Sequence, residues 1–129
     1  MYYVNISTKE VTKMTTYESK PVAKWNTRDF IGYLHAKHKE TYGIPYVTNN
    51  RGMEAKNLKL MIDEQGAEVT RRFIDKCFAE KKPTLKYPGC NFAFMFSYMR
   101  ESVLSRVLTE VKTEQQRAER NEGVDNTWF

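Results

Sequence analysis

Apolar residues recur every three or four positions in several stretches of the chain, and this spacing restricts the fold more than any other feature. The clearest stripe consists of Val69, Phe73, Ile74, Cys77 and Phe78. Side chains at these intervals lie on one face of an α-helix, whereas a half-buried strand would require strict alternation. Glycine and proline separate the stretches and mark helix ends. We therefore predict an all-α domain of four helices, at about residues 27–42, 53–65, 67–82 and 92–109.

The first helix has the most complete start and stop signals. Asn26 can cap its N-terminus, and Asp29 stands three residues later, where its carboxylate can accept a hydrogen bond from the cap residue. Trp25 and Phe30 occupy the two positions of a hydrophobic staple around this turn. Gly43 follows the last helical position and suits a left-handed C-terminal cap. Local sequence alone therefore defines both ends of this helix.

The fourth helix is the most hydrophobic, and we expect it to be the central element of the core. Its apolar stripe consists of Phe92, Met95, Phe96, Met99, Val103 and Val107, widened by Phe94, Tyr98 and Leu108. After Val111 the sequence becomes polar, so either the helix continues outward or the tail is disordered. The predicted organisation is a leader at 1–24, extended or with a short strand, a helical domain at 25–111 and a polar tail at 112–129.

Length and hydropathy exclude several classes of protein. The chain has 129 residues and a mean hydropathy of −0.69, which suits one domain in water. No apolar run approaches the ~20 residues that a membrane span needs. The first six residues lack the basic and apolar regions of a signal peptide. Two cysteines are too few for a disulfide scaffold, so we expect a cytoplasmic protein with reduced thiols and no membrane association.

The sequence contains none of the common catalytic motifs, such as a glycine-rich phosphate loop, a nucleophile elbow or a zinc-protease helix. We interpret His35 and His38 as polar residues on a solvated helix face, because no further metal ligand is placed beside them. Cys77 is expected in the core. Cys90, in a Pro-Gly-Cys-Asn turn, is expected to be exposed, and no base is identified to activate it. We predict a protein that is not an enzyme, with no catalytic residue, cofactor or metal.

Positive charge is concentrated in the predicted folded part. The chain carries a net charge of +5, but the segment from Glu110 onwards carries −2, which leaves +7 on residues 1–109. The candidate nucleic-acid-binding residues lie on the third helix and the following loop: Arg71, Arg72, Lys76, Lys81, Lys82, Lys86 and Tyr87. Basic side chains beside an aromatic ring suit contacts to phosphates and stacking on a base. A solvated helix face and a surface for an acidic protein are the alternatives.

The second and third predicted helices, joined at Gly66, have the gross form of a helix-turn-helix. Aligning Gly66 with the turn glycine of that motif places Arg72 and Asp75 where the motif packs apolar side chains. A direct helix-turn-helix is therefore not predicted, and a looser three-helix variant stays open.

The polar tail ends in two large aromatic residues. Asp125, Trp128 and Phe129 together suit a short docking motif that inserts into a pocket on another protein. Alternatively, the aromatic pair folds back onto the surface of the domain itself. The sequence thus predicts a second candidate interaction site, for a protein partner, separate from the basic surface.

Four short runs carry a family resemblance: Trp25-Asn-Thr-Arg-Asp-Phe30, Tyr42-Gly-Ile-Pro-Tyr46, Gln65-Gly66 leading to Arg72-Phe-Ile-Asp75, and Tyr87-Pro-Gly-Cys-Asn-Phe92. With these caps, turns and core positions the chain resembles small proteins encoded by tailed bacteriophages of Gram-positive hosts. Many such proteins serve phage DNA replication or transcription as helicase loaders, DNA-binding accessories or coactivators. The aromatic, acidic C-terminus is similar in kind to tails by which phage coactivators dock on a sliding clamp. No catalytic residue follows from the resemblance.

Together, the charge pattern and the resemblance lead to one expected function and one alternative. The expected function is that of a non-enzymatic phage accessory protein in the host cytoplasm. It would bind DNA through the basic helix face and loop during replication or transcription. The alternative is a protein-interaction module that docks onto, or inhibits, the replication or transcription machinery of the host or phage through its aromatic tail.

Overall fold

A computed structural model of the chain describes the backbone of residues 17–127 and the side chains of residues 17–121. Over this range it contains four main helices and no strand, which confirms the all-α prediction. Helix α1 spans Thr27–Tyr42, α2 spans Arg51–Gln65 and α3 spans Ala67–Glu80. Helix α4 has three continuous segments, Phe92–Phe94, the π-helical Met95–Leu104 and Ser105–Thr127. The end of the predicted leader is not extended, because Val22–Lys24 form a turn of 3-10 helix. Residues 1–16, where a short strand was considered, lie outside the described residues, as do Trp128 and Phe129.

Helix α1 has the predicted bounds, and its start has the predicted geometry. Asn26 Oδ1 accepts a hydrogen bond from the Asp29 N–H at 3.0 Å, and the Asn26 N–H donates to Asp29 Oδ2 at 3.0 Å. The rings of Trp25 and Phe30 meet edge to face with centroids 5.1 Å apart, so the staple is confirmed. Gly43 ends the helix with φ 75°. Caps of this kind are each worth about 1 kcal/mol, which explains why this helix was predictable from local sequence.

The other helices differ from the prediction at their ends. Helix α2 begins two residues earlier than predicted, because Asn50 Oδ1 accepts the Met53 N–H at 2.9 Å and so caps the helix. Helix α3 ends at Glu80 rather than residue 82. Helix α4 does not stop near Thr109 but continues to Thr127, crossing the predicted boundary between domain and tail. None of the described helices is long and apolar enough to cross a membrane.

The core lies between α3 and α4, with α1 and α2 packed against them. Its fully buried large side chains are Phe30, Leu34, Leu58, Phe73, Ile74, Phe92, Met95, Val103 and Val107. The predicted stripes of α3 and α4 are therefore largely correct, with Phe96 and Met99 only partly buried. Tyr98 and Leu108 were expected to widen the α4 stripe, but both are exposed, so this part of the prediction is wrong.

The π-helical segment explains why α4 presents its apolar residues as it does. Met95, Met99, Val103 and Val107 follow one another at intervals of four residues, and all are buried or partly buried. In an ordinary α-helix each step of four would rotate the next side chain about 40° away from the buried face. A π-helix holds more residues in each turn because its hydrogen bonds join i and i+5. The wider turn therefore keeps this row directed at α3.

Candidate nucleic-acid interface

Two of the predicted cations on α3 are paired with carboxylates of α4. The Arg72 guanidinium donates two hydrogen bonds to the Glu114 carboxylate, at 2.9 and 3.0 Å. One turn further along α3, Lys76 Nζ lies 2.6 Å from Glu110 Oε2. The hydrogen bond from Arg72 lowers the pKa of Glu114 below its usual range. Both cations thus already have an anionic partner within the chain.

A third pair continues the same pattern with the charges reversed. Arg106 of α4 donates two hydrogen bonds to the Glu80 carboxylate of α3, at 2.6 and 2.7 Å. Positions on α3 rise in steps of four while their partners on α4 fall in steps of four, as antiparallel helices require. We call these three pairs the ion-pair ladder: Arg72–Glu114, Lys76–Glu110 and Glu80–Arg106. The ladder lies beside the buried contact between α3 and α4. In each pair, the α4 residue carries the charge opposite to that of its α3 partner.

Arg71, the remaining predicted cation of α3, packs against aromatic rings. Its guanidinium carbon lies 5.9 Å from the Trp25 ring centroid and 5.8 Å from that of Tyr33. Arg71 Nε is 3.6 Å from Asp75 Oδ2, and the Tyr33 hydroxyl donates to the other oxygen of the same carboxylate. Burial, together with the Asp75 hydrogen bond, raises the pKa of Tyr33 to about 12. Arg71 therefore joins α3 to the segment that precedes α1.

The predicted residues of the following loop have a different environment. Lys82, Lys86 and Tyr87 are exposed, and Lys81 is half-buried. Over residues 17–121, no carboxylate oxygen lies within 4.0 Å of the ammonium groups of Lys81, Lys82 or Lys86. Lys81 Nζ lies 5.6 Å from the Phe94 ring centroid, and Lys86 Nζ lies 5.5 Å from that of Tyr87. These three cations are therefore available to an external anion, and Lys81 and Lys86 also stand beside aromatic rings.

The loop and the start of α4 enclose an open cavity of about 570 Å³, which we call the lysine groove. One wall is the loop that follows α1, including Ile44, Pro45 and Val47. A second wall is formed by Lys81 and the loop 86–91, and a third wall by Phe94, Ser97 and Tyr98 of α4. The groove thus joins three of the seven predicted residues, Lys81, Lys86 and Tyr87, to a surface that is mainly apolar.

Two aromatic side chains of the groove were not recognised as site residues from the sequence. The rings of Phe94 and Tyr98 lie 5.1 Å apart in a tilted stack, and Tyr98 is 78% exposed. Tyr87, which also lines the groove, is 57% exposed. A run of large residues on an apolar helix normally indicates core, and only the π-helical turn of α4 places Tyr98 outside it. The missed signal was the tyrosine itself, since its hydroxyl suits a partly exposed position.

A buried carboxylate links two walls of the groove, the loop that follows α1 and the start of α4. Glu54 of α2 is 6% exposed, and its Oε2 accepts the Ala93 N–H at 2.8 Å. Its Oε1 accepts a hydrogen bond from the Tyr46 hydroxyl at 2.9 Å, and that hydroxyl accepts the Phe92 N–H at 2.7 Å. Burial is the main cause that raises the pKa of Tyr46. Negative charge at a helix N-terminus is favourable, so this network fixes the start of α4 against α2.

His38 fixes the floor of the groove, contrary to the expected solvated position. It is 2% exposed, and its Nδ1 lies 3.0 Å from the Ile44 carbonyl oxygen. The Cys90 N–H donates to His38 Nε2 at 3.2 Å, so Nε2 is the acceptor and Nδ1–H donates to Ile44. The prediction was wrong because the loop 83–91 folds back over this face of α1. His35 remains exposed. No three potential metal ligands cluster among the described side chains.

Cys90 is buried, so the prediction of an exposed turn thiol was wrong. Only 5% of the residue is exposed, because the Pro-Gly-Cys-Asn turn packs onto His38. Burial raises the pKa of the Cys90 thiol to about 11, and it raises that of Cys77 as well. Both cysteines are free. Neither thiol is suited to act as a nucleophile, because the reactive form is the thiolate.

The predicted docking residues lie at and beyond the end of α4. Asp125 is in the last turns of the segment Ser105–Thr127, while Trp128 and Phe129 lie outside the described residues. Every side chain from residue 112 to residue 121 is exposed. Residues 112–121 of α4 therefore place no side chain in the core.

Comparisons with known proteins found no matching family model, no similar curated protein and no similar solved structure.

Proposed function

We propose that this chain is a non-enzymatic accessory protein that binds DNA through the lysine groove, of the kind that tailed bacteriophages use in replication or transcription. The observation that carries the proposal is that Lys81 and Lys86 line the same groove as Tyr87 and Tyr98, with Lys82 next to Lys81 in the chain. None of these three lysines is paired with a described carboxylate. Free cations supply the sequence-independent attraction to phosphates, and aromatic faces supply stacking.

The proposal assigns the two halves of the basic surface different roles. Lys81, Lys82 and Lys86 contact phosphates, and Tyr87 contacts a base. Arg71, Arg72 and Lys76 contribute mainly through their contacts within the protein, because a phosphate would have to replace a carboxylate already in place. Such an exchange gains little, since one anion is substituted for another. The working surface is therefore smaller than the cluster of charges in the sequence.

The proposal is tested by fluorescence anisotropy with a labelled DNA oligonucleotide. We expect binding at about 50 mM salt and a marked loss at about 200 mM. Three phosphate contacts would account for about a 20-fold loss over this range, from a slope of about −0.7 per contact. The triple variant Lys81→Gln, Lys82→Gln, Lys86→Gln should lose most of this dependence. Absence of binding by the native protein at about 50 mM salt would overturn the proposal.

A matched control removes the same charge elsewhere. Lys24, Lys39 and Lys56 are exposed lysines that do not line the groove. Their triple replacement by glutamine changes the net charge by the same amount. It should weaken binding much less than the groove variant. Equal losses in the two variants would mean that binding follows net charge alone and not the groove.

One observation favours the alternative, a protein-interaction module. The side chains of residues 112–121 of α4 are all exposed, and Asp125 follows them on the same helix. This alternative predicts that deletion of residues 125–129 removes a specific partner from replication or transcription machinery, while the groove variant retains it. If the deletion leaves the captured proteins unchanged, the docking function is wrong.

A further inference from the structure

We infer that the lysine groove selects single-stranded over duplex DNA. The inference rests on the proposed function, because it specifies which form of DNA the groove binds. It depends on three features of the structure: the cations of α3 that are paired with carboxylates, the exposed aromatic rings, and the positions of Lys81 and Lys86 beside rings.

The first feature is that α3 cannot act as a recognition helix in its present packing. A helix that reads duplex DNA lies in the major groove and presents free side chains to base edges and phosphates. The cations of α3 at Arg72 and Lys76 instead face Glu114 and Glu110 of α4. Those carboxylates would repel the phosphates on either side of a major groove. Helix α3 is thus a poor surface for duplex DNA.

The second feature is the pair of exposed aromatic faces in the lysine groove. Tyr87 stands on one wall, and Tyr98, supported by the ring of Phe94, stands on another. Bases of a single strand can leave their neighbours and stack on such rings, and every base offers a suitable face. In a duplex both faces of each base are already covered by adjacent base pairs. The tyrosines can therefore act fully only on a single strand.

The third feature is the spacing of cations and rings. Lys86 Nζ lies 5.5 Å from the Tyr87 ring centroid, and Lys81 Nζ lies 5.6 Å from that of Phe94. Two lysines of the groove thus place a positive charge next to an aromatic ring, as a nucleotide places its phosphate next to its base. The groove volume of about 570 Å³ lies within the usual range for sites that enclose small molecules. This space suits one or two unstacked bases with their phosphates at the rim.

The loop that carries Lys86 and Tyr87 is itself ordered by hydrogen bonds. The Thr84 N–H donates to the Tyr87 carbonyl oxygen at 3.0 Å, and the Tyr87 N–H donates to Thr84 Oγ1 at 2.9 Å. The Tyr42 hydroxyl also donates to the Lys81 carbonyl oxygen at 3.0 Å. Lys81, Lys86 and Tyr87 therefore project from a backbone that is already fixed, which reduces the entropy lost on binding.

The test compares one DNA sequence in two forms. A labelled oligonucleotide of about 12 nucleotides, alone or annealed to its complement, is titrated with the full chain at about 50 mM salt. We expect the single strand to bind at least about tenfold more tightly. Equal or tighter binding of the duplex would overturn the inference and leave the proposed function standing. Absence of binding to both forms would overturn the inference and the proposed function together.

Variants of the two tyrosines locate the binding site. Tyr87→Leu and Tyr98→Leu should each weaken single-strand binding by about tenfold, while Tyr98→Phe, which retains the ring, should stay close to the native affinity. Leu85→Ser is the matched control, because Leu85 is a fully exposed apolar residue of the same loop that does not line the groove. If Tyr87→Leu and Tyr98→Leu both bind the single strand with native affinity, the groove is not the binding site, and the inference is wrong.

Discussion

Replacement of Gly89 by alanine should destabilise the protein through a contact with His38. A Cβ atom added at Gly89 would lie 2.4 Å from His38 Nε2 and 2.7 Å from its Cε1. Both distances are far shorter than carbon and nitrogen atoms tolerate, so either the buried ring or the turn must move. The ring has little freedom, because its two nitrogens are hydrogen-bonded to Ile44 and Cys90. The turn and the histidine therefore compete for the same space.

The magnitude follows from two effects. Extra volume at a packed site costs about 1–3 kcal/mol. Loss of the acceptor for the buried Cys90 N–H costs about a further 1–3 kcal/mol. Because the two effects share one displacement, we expect a total of about 3 kcal/mol. For a chain of 129 residues this corresponds to a fall in Tm of roughly 10 °C, from an unfolding entropy of about 2.1 cal/mol/K per residue.

Gly52 provides the matched control. It lies at the second position of α2, and a Cβ atom there would have only Asn50 Oδ1 nearby, at 3.9 Å. Alanine is favoured over glycine in a helix by about 0.5–1 kcal/mol, so Gly52→Ala should raise the free energy of unfolding. The same substitution should thus have opposite signs at the two positions. Urea denaturation followed by circular dichroism measures both.

A double variant separates the steric contact from any other effect of alanine at position 89. His38→Ala removes the ring that the new Cβ would meet, at its own cost in stability. If the contact is the cause, Gly89→Ala should cost clearly less in the His38→Ala background than in the native chain. A native-like stability of Gly89→Ala, or an equal cost in both backgrounds, would refute the packing described for this turn.

Three further predictions concern other buried or paired groups. Glu54→Ala should cost about 2–3 kcal/mol in urea denaturation, because the Ala93 N–H and the Tyr46 hydroxyl lose a buried acceptor; a cost below about 0.5 kcal/mol would contradict the network. With its pKa raised to about 11 by burial, the Cys90 thiol should react with a thiol reagent at about pH 8 only after unfolding; rapid labelling of the native protein would contradict this. The lowered pKa of Glu114 means that its ion pair stabilises the fold above the ordinary carboxyl value of 4.5 and is lost as the pH falls through the lower folded value. Between about pH 5 and pH 3 the Tm should therefore fall less steeply in an Arg72→Gln variant than in the native chain, and identical slopes would count against the pair.

Local sequence signals predicted the parts of the fold that depend on near neighbours. The cap and staple of α1 join residues three to five positions apart, so Asn26, Asp29 and Phe30 were enough to define its start. The apolar stripe of α3 likewise depends only on helical spacing. For such features the sequence contains all the interacting groups within one or two turns.

Features that depend on distant residues were not predictable in this way. Glu114 pairs with a residue 42 positions away, so the acidic end of the chain could be counted but not placed. His38 is buried by a turn 52 positions further along the chain. Tyr98 leaves the apolar stripe because α4 is π-helical there, and no local signal indicated the wider turn. The candidate site was therefore half predicted: the loop lysines were found, but the ring of Tyr98 was not.

The most direct test compares two sets of basic residues, those of the loop and those of α3, which the sequence predicted to form one surface. Binding of single-stranded DNA is measured over a series of salt concentrations for the groove triple variant and for Arg72→Gln, Lys76→Gln. The groove variant should lose affinity, and its salt slope should fall by about 2. The α3 variant should retain the native slope, because its cations are paired with Glu114 and Glu110. The reverse result, a reduced slope only in the α3 variant, would contradict the account.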